Sequence, residues 1–520
     1  LGLRAPNIWF RVRLRYPDPH APGGRVDVAG FSLPGLPAII VGSNGHVAWG
    51  FTNSYADTAD WQPVRPCDAQ PRAGCEPVVE HRETIEVAGA DTEELVVPET
   101  RFGPILHPAS AERPALALRW VAHLPGALNF RLADFARAGN LDAALAIAAQ
   151  AATPAQNLVI GDREGRIAWR ILGPLPQRAG ACPAPLQAQA GTSPDAPGAE
   201  GCTPWPLNTT LSPVLADPPQ HRLWTANARV LDGEALAVAG DGGYALGARA
   251  RQIRDRLQAQ DRFDERDLLA IQLDDRAVFL QRWWRLLQDE SKRSPADSAL
   301  QALATAGGAW EGRASVDSVS YRLVRAWRLA VHARIADGLT APAQAALGEA
   351  FDMPDFPQLE GVAWPLLEQR PVHLLPRRYP DWDALLEDAA REVRDDLAGK
   401  GPLGERRWGE RNVARICHPL ANALPGVLAA RLCMAADPLP GDGAMPRVQG
   451  PAFGASQRMV VSPGHEADGI VHMPGGQSGH PLSPFWGAGH DDWVHGRPTP
   501  FLPGTTRHIL TLQPRPASDR

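Results

Sequence analysis

The sequence predicts an α+β fold, because its hydrophobic periodicity changes twice along 520 residues. Short apolar runs punctuated by turns dominate to about residue 260, a helical period rules from about 246 to 400, and strand-like pieces return after 400. Strands, then helices, then strands is the order of an α+β chain and not of a regular βαβ repeat. The expected divisions are 1–260, a mainly helical 261–400, and a returning 401–520.

Residues 8–16 alternate cleanly from Phe10 and predict a half-buried strand, with residues 25–30 as the next. The run 36–42, short and broken by Pro37, reads as a buried strand and is far too short to span a membrane. Ser43-Asn44-Gly45-His46 then predicts a hairpin turn into a strand over 47–51, since Asn-Gly supplies the positive φ such turns need. Asp162-Arg163-Glu164-Gly165 predicts a second turn, leading into Arg166-Ile167-Ala168-Trp169. The stretch 179–220 is dense in Pro, Gly, Ala and Ser and reads as a long surface excursion. Ile253, Leu257, Leu268, Leu269, Ile271 and Leu273 sit among Arg, Asp and Gln at helical spacing, and 279–287 and 382–390 continue the pattern. Residues 457–461, 469–473 and 508–512 are expected as strands.

Composition narrows the function classes. Gly (49) and Pro (51) make up about a fifth of the chain, above the average of about an eighth but below the level of low-complexity disorder. That excess belongs in the turns of a loop-rich globular fold. A net charge of -6 gives no strong field of one sign, which argues against nucleic acid as a partner. Six cysteines fall into sequence-near couples, 67 with 75, 182 with 202, and 417 with 433. Such couples suit small disulfide-closed loops of a periplasmic or secreted protein, the alternative being six unrelated thiols. No Cys-x-x-Cys spacing suggests a metal.

Common catalytic signatures are missing: there is no Gly-x-Ser-x-Gly, no phosphate-binding Gly-rich loop ending in Lys-Ser/Thr, and no His-Glu-x-x-His. His480, His490, Asp491, Asp492 and His495 are a conceivable metal cluster.

Four blocks carry a different message. Pro34-Gly35-Leu36-Pro37-Ala38 through Gly42-Ser43-Asn44-Gly45-His46-Val47-Ala48-Trp49-Gly50-Phe51-Thr52-Asn53 is followed by Asp57-Thr58-Ala59-Asp60. Trp224-Thr225-Ala226-Asn227-Ala228-Arg229 comes second, and Gly243-Tyr244 through Arg249-Ala250-Arg251-Gln252-Ile253 third. The fourth is Gly475-Gly476-Gln477-Ser478-Gly479-His480-Pro481, preceded by Gly454-Ala455-Ser456-Gln457-Arg458-Met459-Val460. In this order the blocks resemble the large subunit of the penicillin acylase family from one end of the chain to the other. The resemblance implies an N-terminal-nucleophile hydrolase fold, an αββα sandwich of antiparallel sheets with a helical insertion, and hydrolysis of an N-acyl amide. An α-amino group with an ordinary pKa of about 8 can serve as the base for an adjacent serine, so no catalytic histidine is required.

The resemblance also implies roles. Asn227 matches the oxyanion-hole amide, Asn53 the residue whose backbone N–H is the second donor, and Arg249 an arginine orienting that region, with Arg251 as a competing register. Val41 and Tyr55 match the acyl pocket, although core packing explains Val41 equally well. Asp57, Ala59, Asp60 and Asp241 match ligands of a structural calcium (Ca2+), hard oxygen donors suited to that ion; no organic cofactor is expected. The matching nucleophilic serine would precede Leu1, and the small subunit of the same precursor would lie earlier still. The chain is thus expected to be a large-subunit fragment, inactive alone, with the small subunit and an N-acyl amide as its partners. Open alternatives are an inactive binding subunit, an acyl-homoserine lactone acylase of the same family, and a metal hydrolase built on the 480–495 histidines.

Overall fold

In the computed structural model, which describes residues 2–67, 75–110, 114–178 and 203–513, the first half of the chain is built of antiparallel ladders. Strand β1 (Phe10–Pro17) pairs along its length with β2 (Arg25–Ser32), and β3 (Val41–Ser43) connects to β4 (Val47–Asn53) through the Asn-Gly turn. Gly45 supplies the positive φ of 82°. Asn44 makes this turn a structural anchor as well. Its Oδ1 accepts the N–H groups of His46 (2.9 Å) and Val47 (2.8 Å), and its Nδ2 donates to the carbonyls of Phe135 (3.0 Å) and Ala138 (2.8 Å).

Next come β5 (Ala59–Val64), β6 (Val79–Ile85), β7 (Glu93–Thr100), β8 (Gly103–His107) and β9 (Ala115–Trp120). They form a five-stranded sheet in the order β5-β9-β8-β7-β6, whose outer strand β6 is exposed throughout. After helix α1 (Leu141–Ala148), β10 (Gln156–Asp162) and β11 (Ile167–Leu172) pair across the second predicted turn, where Gly165 has φ 88°. Short β12 (Leu175–Pro176) pairs with β13 (Leu207–Asn208), and β14 (Val214–Ala216) borders β11. The main sheet has seven strands in the order β1-β2-β3-β4-β10-β11-β14.

Helix α1 was not expected from the sequence, which reads as strands in this region. Leu141, Ala144 and Ala148 are buried at helical spacing, and Asn140 caps the first turn by accepting from the Ala143 N–H at 3.0 Å. With Leu132 and Phe135 the helix covers the main sheet, burying Val28, Phe31, Val41, Trp49 and Leu158 in one core.

Helix α2 (Gly233–Ala239) lies ahead of the expected helical stretch, and the helices the period predicts follow it: α3 (Ala248–Leu257), α4 (Glu265–Gln272), α5 (Gln281–Arg293), α6 (Ala299–Gly307), α7 (Val319–Leu347), α8 (Leu359–Gln369) and α9 (Trp382–Ala398). Helices α5 to α9 share a separate core that holds Trp283, Tyr321, Trp327 and Leu385, all fully buried. Glu360 lies inside it, paired with Arg282, Arg328 (2.7 Å) and the Trp283 indole (2.8 Å). His332 Nε2 is 3.0 Å from the same carboxylate, out of hydrogen-bond alignment.

Strands β15 (Arg458–Val460) and β16 (Ile470–His472) return as expected and pair antiparallel. Two expectations need correction. Residues 508–512 form no strand: Ile509, Leu510 and Leu512 are each 84% exposed, and no strand among the described residues pairs with them. Within 36–42, strand begins only at Val41, because Gly35 (φ 80°) and Pro37 break the approach even though Ile39 and Ile40 are buried. Disulfides join Cys67 to Cys75 and Cys417 to Cys433. Cys182, Cys202, Leu1 and most of the 179–220 excursion lie outside the described residues.

Candidate active site

Segments far apart in sequence meet at the end of β4. Asn53 is its last residue and stands opposite Gln156 of β10. The Asn53 carbonyl accepts from two side-chain amides, Nδ2 of Asn227 at 3.1 Å and Nδ2 of Asn157 at 3.2 Å. Asn157 is wholly buried; it also donates to Thr52 Oγ1 at 3.1 Å and accepts from the Trp169 indole at 3.0 Å. Thr52 Oγ1 lies 2.9 Å from Thr225 Oγ1 on the segment that carries Asn227. One polar network thus ties β4, β10, β11 and the 224–229 loop together.

Asn227 has φ 65°, a left-handed conformation that Asn tolerates better than most residues. The Ala245 N–H holds its carbonyl at 2.9 Å, and Arg249 Nη2 donates to its Oδ1 at 3.0 Å. The guanidinium therefore fixes which way the amide faces. With Oδ1 turned to Arg249, the amide nitrogen faces Asn53, whose carbonyl takes one of its two hydrogens. The second has no acceptor among the described residues and suits an incoming oxyanion.

Arg249 sits in the first turn of α3. Burial lowers its pKa, and no carboxylate among the described residues pairs with it. Arg251, the competing register, is turned outward at 76% side-chain exposure, 3.8 Å from Asp255. Arg249 is the arginine at the site. Tyr55 is there too: its N–H donates to Asn53 Oδ1 at 3.1 Å, and its carbonyl accepts from Gly242 at 2.9 Å. Its φ of 50° is a second positive value outside glycine. Such conformations persist only where surrounding contacts over-determine them, and they cluster at functional sites.

Residues 1–506 match the family model described as penicillin amidase. The chain belongs to that family. Among curated relatives, the penicillin acylase 2 proenzyme of Pseudomonas sp. (strain SE83) is 27% identical over 522 residues, covering 96% of this chain and 64% of that protein. The acyl-homoserine lactone acylase QuiP of Pseudomonas aeruginosa is 25% identical over 605 residues, covering 99% of this chain and 66% of that protein. The chain therefore spans just under two thirds of these relatives' lengths. A solved thermostable penicillin G acylase from Alcaligenes faecalis shares the fold with a TM-score of 0.68, at 18% identity, over 99% of this chain and 96% of that one.

The other residues singled out by the family resemblance are placed as follows. Val41 is 2% exposed and packs in the sheet–helix core with Phe31 and Phe135, as core packing alone would have it. In the register that sets Gly42 opposite Trp49, it falls well short of Asn53 along β4. Gly476 and Gln477 of the fourth block line a separate cleft of about 640 Å³ with Phe10, Arg11 and His472. A Cβ at Gly476 would meet the Phe485 carbonyl oxygen at 1.7 Å, which explains the glycine there.

Asp57 and Asp60 do lie together at the start of β5, but their oxygens are engaged. Arg178 donates to Asp60 Oδ2 (3.0 Å) and Oδ1 (3.3 Å), and its Nη2 is 3.2 Å from Asp57 Oδ1. Trp205 Nε1 also donates to Asp60 Oδ2 at 2.7 Å. Asp241 Oδ1 caps its own turn, accepting from Gly243 (2.9 Å) and Tyr244 (3.3 Å), and Ala59 opens the β5 ladder opposite Trp120. So arranged, these side chains do not form a cage for a divalent cation. No cluster of three or more His, Cys, Asp or Glu side chains suited to a metal occurs among the described residues. The 480–495 histidines serve local roles: His480 accepts from the Leu482 N–H at 3.2 Å, His490 stacks on Trp493, and His495 sits 2.9 Å from Asp491.

Thr52 and Thr225 stand in the family blocks without an assigned role, and Asn157 and Trp169 stand in none of them. A signal existed for one of these residues: Asn157 follows Gln156 and opens the apolar run Leu158-Val159-Ile160, and a polar residue buried on a central strand must find partners.

Proposed function

We propose that this chain supplies the oxyanion-binding side of an amidohydrolase that cleaves an N-acyl amide, with an N-terminal serine from outside residues 1–520 as nucleophile. The serine Oγ adds to the acyl carbon while its own α-amino group takes the hydroxyl proton. The negative charge that forms on the acyl oxygen is received by Asn227 Nδ2 and the Asn53 backbone N–H. Collapse expels the amine, which leaves with the proton from the α-ammonium group. Water then attacks the acyl carbon, giving a proton to the α-amino group while the same two donors hold the oxyanion, and serine Oγ leaves with that proton as the acid is released.

The carrying observation is the Asn227 amide, locked by Arg249 with one hydrogen on Asn53 and the other free. Family membership supports the same chemistry. The word proenzyme in the name of one relative supports a precursor that also yields a small subunit. The two disulfides support a periplasmic or secreted location. No described helix is long and apolar enough to cross a membrane. A second reading within the family, an acyl-homoserine lactone acylase, is favoured by the names of several relatives.

The test is Asn227→Ala in a preparation that contains the nucleophile, assayed on penicillin G and on a long-chain acyl-homoserine lactone. Turnover should fall by about 10²–10³, the usual effect of losing one oxyanion donor, with the protein still folded but its unfolding midpoint lowered by alanine at φ 65° and by the loss of the Arg249 partner. Turnover at the parental rate would overturn the assignment, and the substrate that is hydrolysed selects between the two readings.

A further inference from the structure

The acidic pair at the start of β5 invites a different conclusion from the one the family suggests. We propose that the Arg178 guanidinium is the structural cation of the Asp57–Asp60 site, serving in place of a divalent metal. Asp60 is only 6% exposed, so its charge needs a buried partner. Arg178 meets both Asp60 oxygens, at 3.0 and 3.3 Å, in the side-by-side geometry that a planar guanidinium makes with a carboxylate. The same group reaches Asp57 twice, through Oδ1 at 3.2 Å and the backbone carbonyl at 3.3 Å. One side chain thus bridges side-chain and main-chain oxygens at once, which is what a bound cation would do for the loop.

The surroundings are built for this arrangement. Trp205 completes Asp60 with its indole N–H at 2.7 Å. The Arg178 and Arg119 guanidiniums lie 5.9 and 5.1 Å from the Trp205 ring, and Arg119 also donates to the Trp205 carbonyl at 2.8 Å. Arg178 is placed by the β12–β13 ladder, which continues in the bond from the Gln177 N–H to the Pro206 carbonyl at 3.0 Å. On its other side, the Asp57 N–H donates to Ala239 at 2.7 Å at the end of α2, where a Cβ on Gly240 would strike Asp57 Cβ at 2.5 Å. The cation therefore pins the segment that begins at Asn53 and passes through the left-handed Tyr55. Its effect on the site is structural and operates through that backbone.

Three measurements on the purified protein test this without reference to activity, so failure would leave the hydrolase reading untouched. Metal analysis after dialysis should find no stoichiometric calcium, and neither EGTA nor added calcium chloride should move the thermal midpoint. One retained calcium per chain, or a midpoint that falls with EGTA or rises by several degrees with calcium, would overturn the proposal. Arg178→Met should lower the midpoint by several degrees, and adding Asp60→Asn to it should recover part of the loss by removing the orphaned charge. An unchanged midpoint for Arg178→Met, or no recovery in the double variant, would count against it. Should Arg178→Met fail to fold, the calcium and EGTA measurements on the parent protein still decide.

Discussion

Replacing Asn157 tests whether the polar network at the end of β4 positions the oxyanion donors or merely packs the sheet. Asn157→Ala removes donors to Asn53 (3.2 Å) and Thr52 (3.1 Å) and the acceptor of the Trp169 indole (3.0 Å). At about 1 kcal/mol net for each bond, with the buried indole N–H left unsatisfied, the variant should lose about 3 kcal/mol of stability. The catalytic effect has a different origin. The Asn53 carbonyl would keep Asn227 but lose its second anchor, leaving the 52–54 backbone free to drift. Loss of a whole oxyanion donor costs about 10²–10³ in kcat, so drift of donors still present should cost about 10- to 100-fold, with KM changed far less. Thr52→Val is the comparator, because it removes bonds to Asn157 and Thr225 while sparing the Asn53 carbonyl. It should destabilise by about 1–2 kcal/mol and leave kcat nearly intact. Steady-state hydrolysis and urea unfolding of both variants supply the readings. If kcat follows stability alone across the two, or Asn157→Ala keeps the parental kcat, the positioning argument is wrong.

Two further outcomes follow from the packing. Burial by itself would raise the Glu360 pKa, yet His332, Arg328 and the Trp283 indole overcome it and hold the carboxyl at about 2, below its ordinary 4.5. A depressed carboxyl stabilises the fold above about pH 4.5 and loses that contribution as pH falls toward 2, a term of about 3 kcal/mol. Urea midpoints measured from pH 6 down to pH 3 should therefore fall more steeply for the parent than for Glu360→Gln, and parallel curves would refute the link. Asn44→Ala should cost about 3 kcal/mol, since it leaves the Phe135 and Ala138 carbonyls and two turn N–H groups without their partner. A urea midpoint within experimental error of the parent would show that the turn does not depend on it.

The most legible parts of the fold are those whose signal is local. Asn44-Gly45 and Gly165 mark turns because a positive φ is written into the residue itself. The helices from 248 to 398 declare themselves by apolar spacing. Where the outcome depends on a neighbour, the sequence says less. Ile509, Leu510 and Leu512 have the composition of a strand but no strand among the described residues to pair with, whereas α1 hides in an alanine-rich stretch whose spacing matters only once a sheet lies beneath it. The site divides in the same way. Asn53, Asn227 and Arg249 could be named from family blocks, but the choice of Arg249 over Arg251 needed the helix to show which side chain turns inward. Asn157 matters because the β4–β10 register sets Gln156 opposite Asn53, a relation across more than a hundred residues. The arginine beside Asp57 and Asp60 is likewise invisible in a motif, since Arg178 arrives from the segment just beyond β12, which no block contains.

The geometry at Asn53 also divides the chemical labour. Amides and hydroxyls from Asn227, Asn157, Thr52 and Thr225 make the network, and none of them titrates near neutral pH. Arg249 is the one ionisable group bonded to Asn227, and a guanidinium keeps its proton over the working range. The amides and hydroxyls of this network can hold an oxyanion without changing their own protonation near neutral pH. On the proposed mechanism the proton is moved by the nucleophile's own α-amino group, and the pH dependence of turnover should report that group. On that proposal the chain's contribution is preorganisation, with Asn227 held in place by Arg249 and by its contact to Asn53 at the end of β4. That separation fits a sequence without Gly-x-Ser-x-Gly or His-Glu-x-x-His, in which the side chains around Asn53 are nevertheless held by several hydrogen bonds each.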